Sequence, residues 1–148
     1  MLRLYVLYQS SIHSARAIFA GEDLLLDSKG RLINDRLSKS TFCIGDIGRK
    51  TFNFCVFNGL NFQNSRSGTL SLGLSTAFTE FYKRISRQRD ITMSKAEELL
   101  FTEGRQELLD LSKKIQDAVS VFWADMLSEI EDMYLCGYVA PKMLEHFT

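Results

Sequence analysis

Apolar and polar positions mark a strand from Thr51 to Phe57 and take helical spacing from Leu108 onward. From Thr51 to Phe57, the residues Phe52, Phe54 and Val56 face one way while Asn53, Cys55 and Phe57 face the other. Both faces of this predicted strand carry apolar groups, so both are expected to be covered. Asn58-Gly59 tolerates the two positive φ angles of a type I′ turn and joins the strand to Leu60–Gln63, which predicts a β-hairpin. Upstream, Ser40–Ile47 is a predicted buried strand, and Leu2–Tyr8 is a short strand rich in β-formers. Gln9-Ser10-Ser11 suits the N-cap of a helix from about Ile12 to Leu25. Asp27-Ser28-Lys29-Gly30 is a turn signature, and the polar stretch Asp35 to Lys39 predicts a surface loop.

Downstream of Ser67-Gly68 the pattern predicts a short strand at Thr69–Leu72 and a helix from about Ser75 to Ile85. Ser94-Lys95-Ala96-Glu97 fits a capping box opening a short helix to Phe101, and Gly104 separates it from a long one. Leu108, Leu111, Ile115, Val119, Phe122, Met126 and Ile130 recur every three or four residues and make one apolar stripe. Trp123 lies beside it as a core residue. Met133–Cys136 is a last strand ending at Gly137, and Pro141 suits the first turn of a terminal helix to Phe147. The sum is an α/β domain: a mixed sheet with a β-meander and helices packed on it.

With 148 residues, 45% of them hydrophobic and 24% charged, the chain has the size and mix of one globular domain. Eighteen basic residues balance eighteen acidic ones, so no global field favours nucleic acid or anionic lipid. The apolar start at Met1–Tyr8 is too short for a signal peptide or a membrane span, so a cytoplasmic location is expected. Cys43, Cys55 and Cys136 share no metal-like spacing and sit among strand formers, as small buried thiols do. His13 and His146 have no carboxylate or Cys at ligand spacing, so no metal site is expected. The serines around His13 suit helix capping, and no G-x-S-x-G elbow accompanies them. The basic cluster Lys83-Arg84-Ile85-Ser86-Arg87-Gln88-Arg89 reads as a solvated helix end. No residue is a candidate catalytic group.

Asp46-Ile47-Gly48-Arg49-Lys50-Thr51 falls at a strand–turn–strand junction. A tight turn with glycine offers backbone N–H groups to a phosphate, and a carboxylate at its edge can order the waters on Mg²⁺. The same residues also suit a solvated hairpin turn at Arg49-Lys50 and a carboxylate at Asp46 that caps the turn. The segment resembles the second phosphate-binding loop, D-[IL]-G-G-x-T, of the actin/Hsp70/sugar-kinase superfamily. The order of the downstream elements strengthens the resemblance: a hairpin, the segment Arg66 to Ser75, a helix, a long helix, and a strand entering Gly137-Tyr138-Val139-Ala140 where that superfamily has an adenosine-binding glycine cluster. Tyr8-Gln9-Ser10-Ser11 resembles the segment linking the two halves of these ATPases. The chain is thus similar to the second half of an actin-like ATPase of the plasmid-segregation ParM/StbA type, with residues 1–38 as linker strand and helix and residues 39–148 as the second domain.

The resemblance implies a ribonuclease H-like fold, a place in a bacterial cytoskeleton for plasmid segregation, and phosphate and Mg²⁺ contacts from Asp46, Gly48, Arg49, Lys50, Thr51 and Gly73. It also implies an adenosine site at Gly137, Tyr138 and Val139. Departures qualify that site. Arg49 replaces the loop's second glycine, Asn53 replaces an acidic residue, and Tyr138 and Val139 replace glycines that would let a nucleotide approach the backbone. The first half, with its own phosphate loop, is not in this sequence. The expectation is a truncated or degenerate actin-like protein that works through protein contacts, has no ATPase activity alone and needs no cofactor. The alternative is the complementary half of a split ATPase that takes ATP or ADP with Mg²⁺ only alongside a partner chain. Apolar groups near Tyr5, Tyr8 and Phe19, exposed without a first domain, favour a homodimer or an actin-like partner.

Overall fold

The computed structural model describes residues 3–6, 22, 24–123, 129–137, 139–143 and 146. Among the described residues six strands form one mixed sheet: β1 (Arg3–Val6), β2 (Thr41–Ile47), β3 (Phe52–Asn58), β4 (Asn61–Phe62), β5 (Gly68–Leu70) and β6 (Ile130–Cys136). The order is β1-β6-β2-β3, with β4 and β5 both against β3. β1 and β2 run parallel to β6 on either side of it, while β2, β3 and the β4/β5 pieces form an antiparallel meander. A parallel neighbour cannot be reached by a tight turn, so the chain crosses back through helices α1 (Leu74–Ser86), α2 (Met93–Glu103) and α3 (Arg105–Phe122) before entering β6. A short helix, α4 (Ala140–Met143), comes after β6.

The alternation expected for β3 holds, and both faces are covered. Phe52, Phe54 and Val56 join Cys43, Ile47, Met133 and Leu135 under Phe81, Leu100, Leu108, Leu111 and Ile115 of the helices. On the opposite face Phe42, Ile44, Phe57, Tyr134 and Cys136 pack with Leu25 and Leu37. Leu37 is fully buried within a 3₁₀ turn, Leu37–Lys39, so the expected surface loop is anchored by one apolar side chain. The Asp27–Gly30 turn forms as expected, its Asp27 carboxylate accepting from the N–H groups of Lys29 and Arg31. β1, the strand expected in residues 1–38, pairs parallel with β6 at the edge of the sheet. Arg3 and Arg36 donate to the two oxygens of the buried Asp132 on β6, at 2.7 and 2.5 Å.

Element boundaries move where local chemistry decides them. The hairpin loop is Gly59–Leu60, one residue later than expected, with Asn58 paired to Asn61 and the positive φ (59°) at Gly59. The outer strand is broken by a 3₁₀ turn, Asn64–Arg66. There the Gln63 N–H donates to the Val56 carbonyl and the Val56 N–H donates to Ser67 Oγ, so side chain and turn replace ladder bonds and blunt the edge. α2 begins at Met93 because Thr92 is its N-cap, Oγ1 accepting from the Lys95 N–H; Ser94 therefore lies inside the first turn and the expected capping box does not form. α3 stops at Phe122, where Trp123 turns into the core and its Nε1 donates to the Arg66 carbonyl at 2.9 Å. The stripe expected to run on to Ile130 combines two elements: Ile130 opens β6, and Met126 lies outside the described residues. Phe122 is half-exposed, its ring edge-on to Phe54. The helix expected from Ile12 likewise falls largely outside the described residues.

Candidate functional site

The carboxyl ends of β2 and β6 emerge on the same edge of the sheet because the strands are parallel neighbours, with Asp46 paired to Cys136. Residues just beyond those ends, Gly48 and Gly137, are thereby brought together, the place where open α/β sheets build ligand sites. The segment 48–51 closes the β2–β3 hairpin, with the Gly48 N–H donating to the Thr51 carbonyl at 2.9 Å. The amino end of α1 docks on this loop: the Leu74 N–H donates to the Gly48 carbonyl (3.1 Å) and the Ser75 N–H to the Arg49 carbonyl (2.8 Å). The loop's carbonyls are thus turned toward the helix. Among the described residues, the backbone N–H groups of Arg49, Lys50 and Thr51 have no backbone acceptor.

Two glycines permit this packing. A Cβ at Gly73 would stand 2.5 Å from the Arg49 carbonyl oxygen. At Gly137, φ is +100° and a Cβ would lie 2.7 Å from the Ile47 carbonyl oxygen and 3.0 Å from Asp46 Oδ1. Asp46 is partly buried at the end of β2, opposite Asn53 of β3. Thr69 Oγ1 donates to Asn53 Oδ1 at 2.7 Å, which orients that amide. Burial pushes the Asp46 carboxyl above its usual range, and the hydrogen bond from Asn53 opposes the shift.

The structure therefore assembles Asp46, Gly48, Arg49, Lys50, Thr51, Gly73 and Gly137 at one sheet edge. Val139 is fully buried in the helix-side core. Tyr138 lies outside the described residues. The basic cluster at the end of α1 is largely neutralised, with Lys83 paired to Glu80, Arg84 to Glu107 and Arg89 to Glu103. No helix among the described residues is long and apolar enough to cross a membrane.

One neighbour of the hairpin was not visible from sequence. Arg49 Nη2 donates to Glu97 Oε1 of α2 at 2.9 Å. Both residues line a cavity of about 340 Å³ together with Leu74, Ser75, Phe78, Leu100 and Phe101. Lys142 of α4 places its ammonium 4.8 Å from the centre of the Phe101 ring. Spacing on α2 puts Glu97 and Phe101 on one helical face, but only tertiary packing turns that face toward Arg49.

No family model and no curated protein sequence matches the chain. Solved structures do. The native archaeal actin homolog Ta0583 superposes with a TM-score of 0.72 at 17% identity over 89% of this chain and 46% of that one. Its complex with ADP matches with a TM-score of 0.66 at 13% identity, over 74% of this chain and 41% of that one. A non-polymerisable quadruple mutant of pCBH ParM gives 0.66 at 19% identity, over 91% and 45%. A ParM subunit from a 15-stranded filament of Clostridium botulinum gives 0.61 at 15%, over 90% and 42%. The chain thus spans less than half the length of each, and it has the fold of one half of an actin-like protein of the archaeal actin and ParM type.

Proposed function

We propose that this chain is an actin-like half-domain that works through protein–protein contacts and does not hydrolyse ATP by itself. The observation that carries this reading is the one-sided site. The phosphate hairpin, Gly73 and Gly137 converge at the sheet edge, and these 148 residues correspond to less than half of each actin-like neighbour. Phosphoryl transfer draws its rate from positioning the nucleotide and its attacking water from several sides, which one wall of a cleft does not do. A second copy or another actin-like chain is the partner this reading names. Exposed Leu32, Ile33, Leu60 and Val121 offer apolar contact area for it. Tyr5 is exposed as well, with its ring stacked on Tyr134 at 4.9 Å; Tyr8 and Phe19 lie outside the described residues.

The test pairs light scattering with a phosphate-release assay on the purified chain in Mg·ATP. The expected outcome is no turnover above buffer and a mass above that of one chain, or co-elution with an added actin-like subunit. Turnover that scales with protein and disappears in Asp46→Asn would overturn the proposal.

A second reading is supported by the hairpin itself: the chain is the complementary half of a split actin-like ATPase. In that reading the N–H groups of Arg49, Lys50 and Thr51 receive a phosphate, and Asp46 holds waters on Mg²⁺. Asp46, as a single carboxylate at the end of β2, suits contact through water better than direct ligation. The nucleotide would supply the phosphoryl group, while this chain orients it. Amide shifts at residues 48–51 on adding Mg·ADP, strengthened by a first-half partner, are the expected signature; unmoved amides with and without partner would remove this reading.

A further inference from the structure

We infer that Glu97 is a built-in competitor of the anion at the hairpin, holding Arg49 when the site is empty and releasing it to a polyphosphate. The inference rests on the phosphate reading of the hairpin and adds to it the residue that sets affinity. Arg49 occupies the position where the resemblance has glycine, so the loop whose N–H groups at residues 49–51 have no backbone acceptor among the described residues also carries a guanidinium. Its side chain does not fold over the hairpin. It reaches to α2, along the wall of the cavity that both residues line, and ends on Glu97 at 2.9 Å.

The energetics make this contact exchangeable. Both partners are well exposed, with side-chain accessibilities of 70% for Arg49 and 50% for Glu97, so the pair has the strength of a surface ion pair. A guanidinium meeting a polyphosphate forms two parallel charge-assisted bonds and gains more than it does from one carboxylate in water. Other nearby charges do not substitute for Glu97. Glu98, also at the cavity wall, is paired with Lys95 at 2.8 Å, and Lys142 lies over the Phe101 ring. The anion and Glu97 therefore compete for one guanidinium, and removing the carboxylate leaves Arg49 free for the anion.

The experiment is a set of ¹⁵N amide titrations with pyrophosphate at constant ionic strength, on the native chain, Glu97→Gln, Arg49→Gln and the double variant. The amide spectrum of each variant reports its fold directly. The expected result is movement of the residue 49–51 amides, with Glu97→Gln binding roughly three- to fivefold tighter, the equivalent of an exposed ion pair. Arg49→Gln binds more weakly, and adding Glu97→Gln to it gives no gain. Equal, measurable affinity in the native chain and Glu97→Gln overturns the competitor role while the phosphate reading stands. A gain that persists without Arg49 overturns it too, since that gain would be a general effect of removing negative charge. Unmoved amides in all four proteins overturn both readings.

Discussion

Replacing Gly73 with alanine sets two effects of opposite sign against each other. The residue has φ −154° and ψ −173°, extended backbone that alanine adopts without strain. On chain entropy alone, Gly73→Ala would stabilise the fold by about 0.4–1 kcal/mol. The methyl group, however, would stand 2.5 Å from the Arg49 carbonyl oxygen, 2.6 Å from its carbon and 2.7 Å from the Lys50 carbonyl carbon. These are backbone atoms, so a rotamer change cannot relieve the contact. The hairpin must move off α1, which weakens the bonds from Leu74 N–H to Gly48 and from Ser75 N–H to Arg49. Each such bond contributes about 0.5–1.5 kcal/mol net, and overpacking adds strain of about 1–3 kcal/mol. After the entropic gain is subtracted, the expected loss is about 1–3 kcal/mol, read as a lower urea midpoint at unchanged m-value. The amides of residues 48–51 should move with it. A stabilised variant with unmoved amides would refute the claim that close contact between helix and hairpin fixes this glycine.

The same geometry sets four further outcomes. Gly137→Ala combines a positive φ with contacts to Ile47 and Asp46, so it should cost more than Gly73→Ala in the same urea experiment. Asp132→Asn sets an amide N–H₂ against a guanidinium donor; with Arg3 and Arg36 both half-exposed and able to regain water, the expected loss is about 1–2 kcal/mol, with faster amide exchange in β1. Arg84 holds the Glu107 carboxyl below its ordinary value of 4.5, so its contribution is complete above that pH and is lost as pH falls through the folded value; Glu107→Gln should flatten that part of the acid-stability curve. Burial raises the Cys55 thiol to about 11 and the Cys136 thiol to about 12, leaving fewer than roughly one in a thousand ionised near neutral pH, so alkylation of the folded chain should be far slower than in urea.

Much of the fold was legible because the sheet's requirements are local. Phe52, Phe54 and Val56 against Asn53, Cys55 and Phe57 state a strand covered on both faces, and the core has that division. Errors fell where two elements share one pattern. The stripe from Leu108 to Ile130 passed from helix to strand without a break in its apolar spacing, since periodicity does not register a change of backbone once the next strand also begins with an apolar residue. The helix start at Thr92 was hidden by Ser94, an equally good cap in sequence, and was settled by which hydroxyl reaches the Lys95 N–H.

The site was legible in its backbone and illegible in its side chains. Asp46, Gly48 and Thr51 form a local motif, and Gly73 and Gly137 are glycines for reasons of contact that the strand order dictates. What Arg49 does depends on Glu97, 48 residues away, and what Asp46 does depends on Asn53 as oriented by Thr69. The two pairings pull stability and chemistry apart at the same hairpin. Burial raises the Asp46 carboxyl above its ordinary 3.8, so the folded state holds that proton more tightly than the unfolded chain does. Its effect is to lower stability as pH climbs from 3.8 through the folded value, and the deficit is complete above that value. Asp46→Asn should therefore be more stable than the native chain at pH 7 and lose that advantage in acid. A loss of stability in Asp46→Asn at pH 7 would instead make the carboxylate a structural cap of the turn.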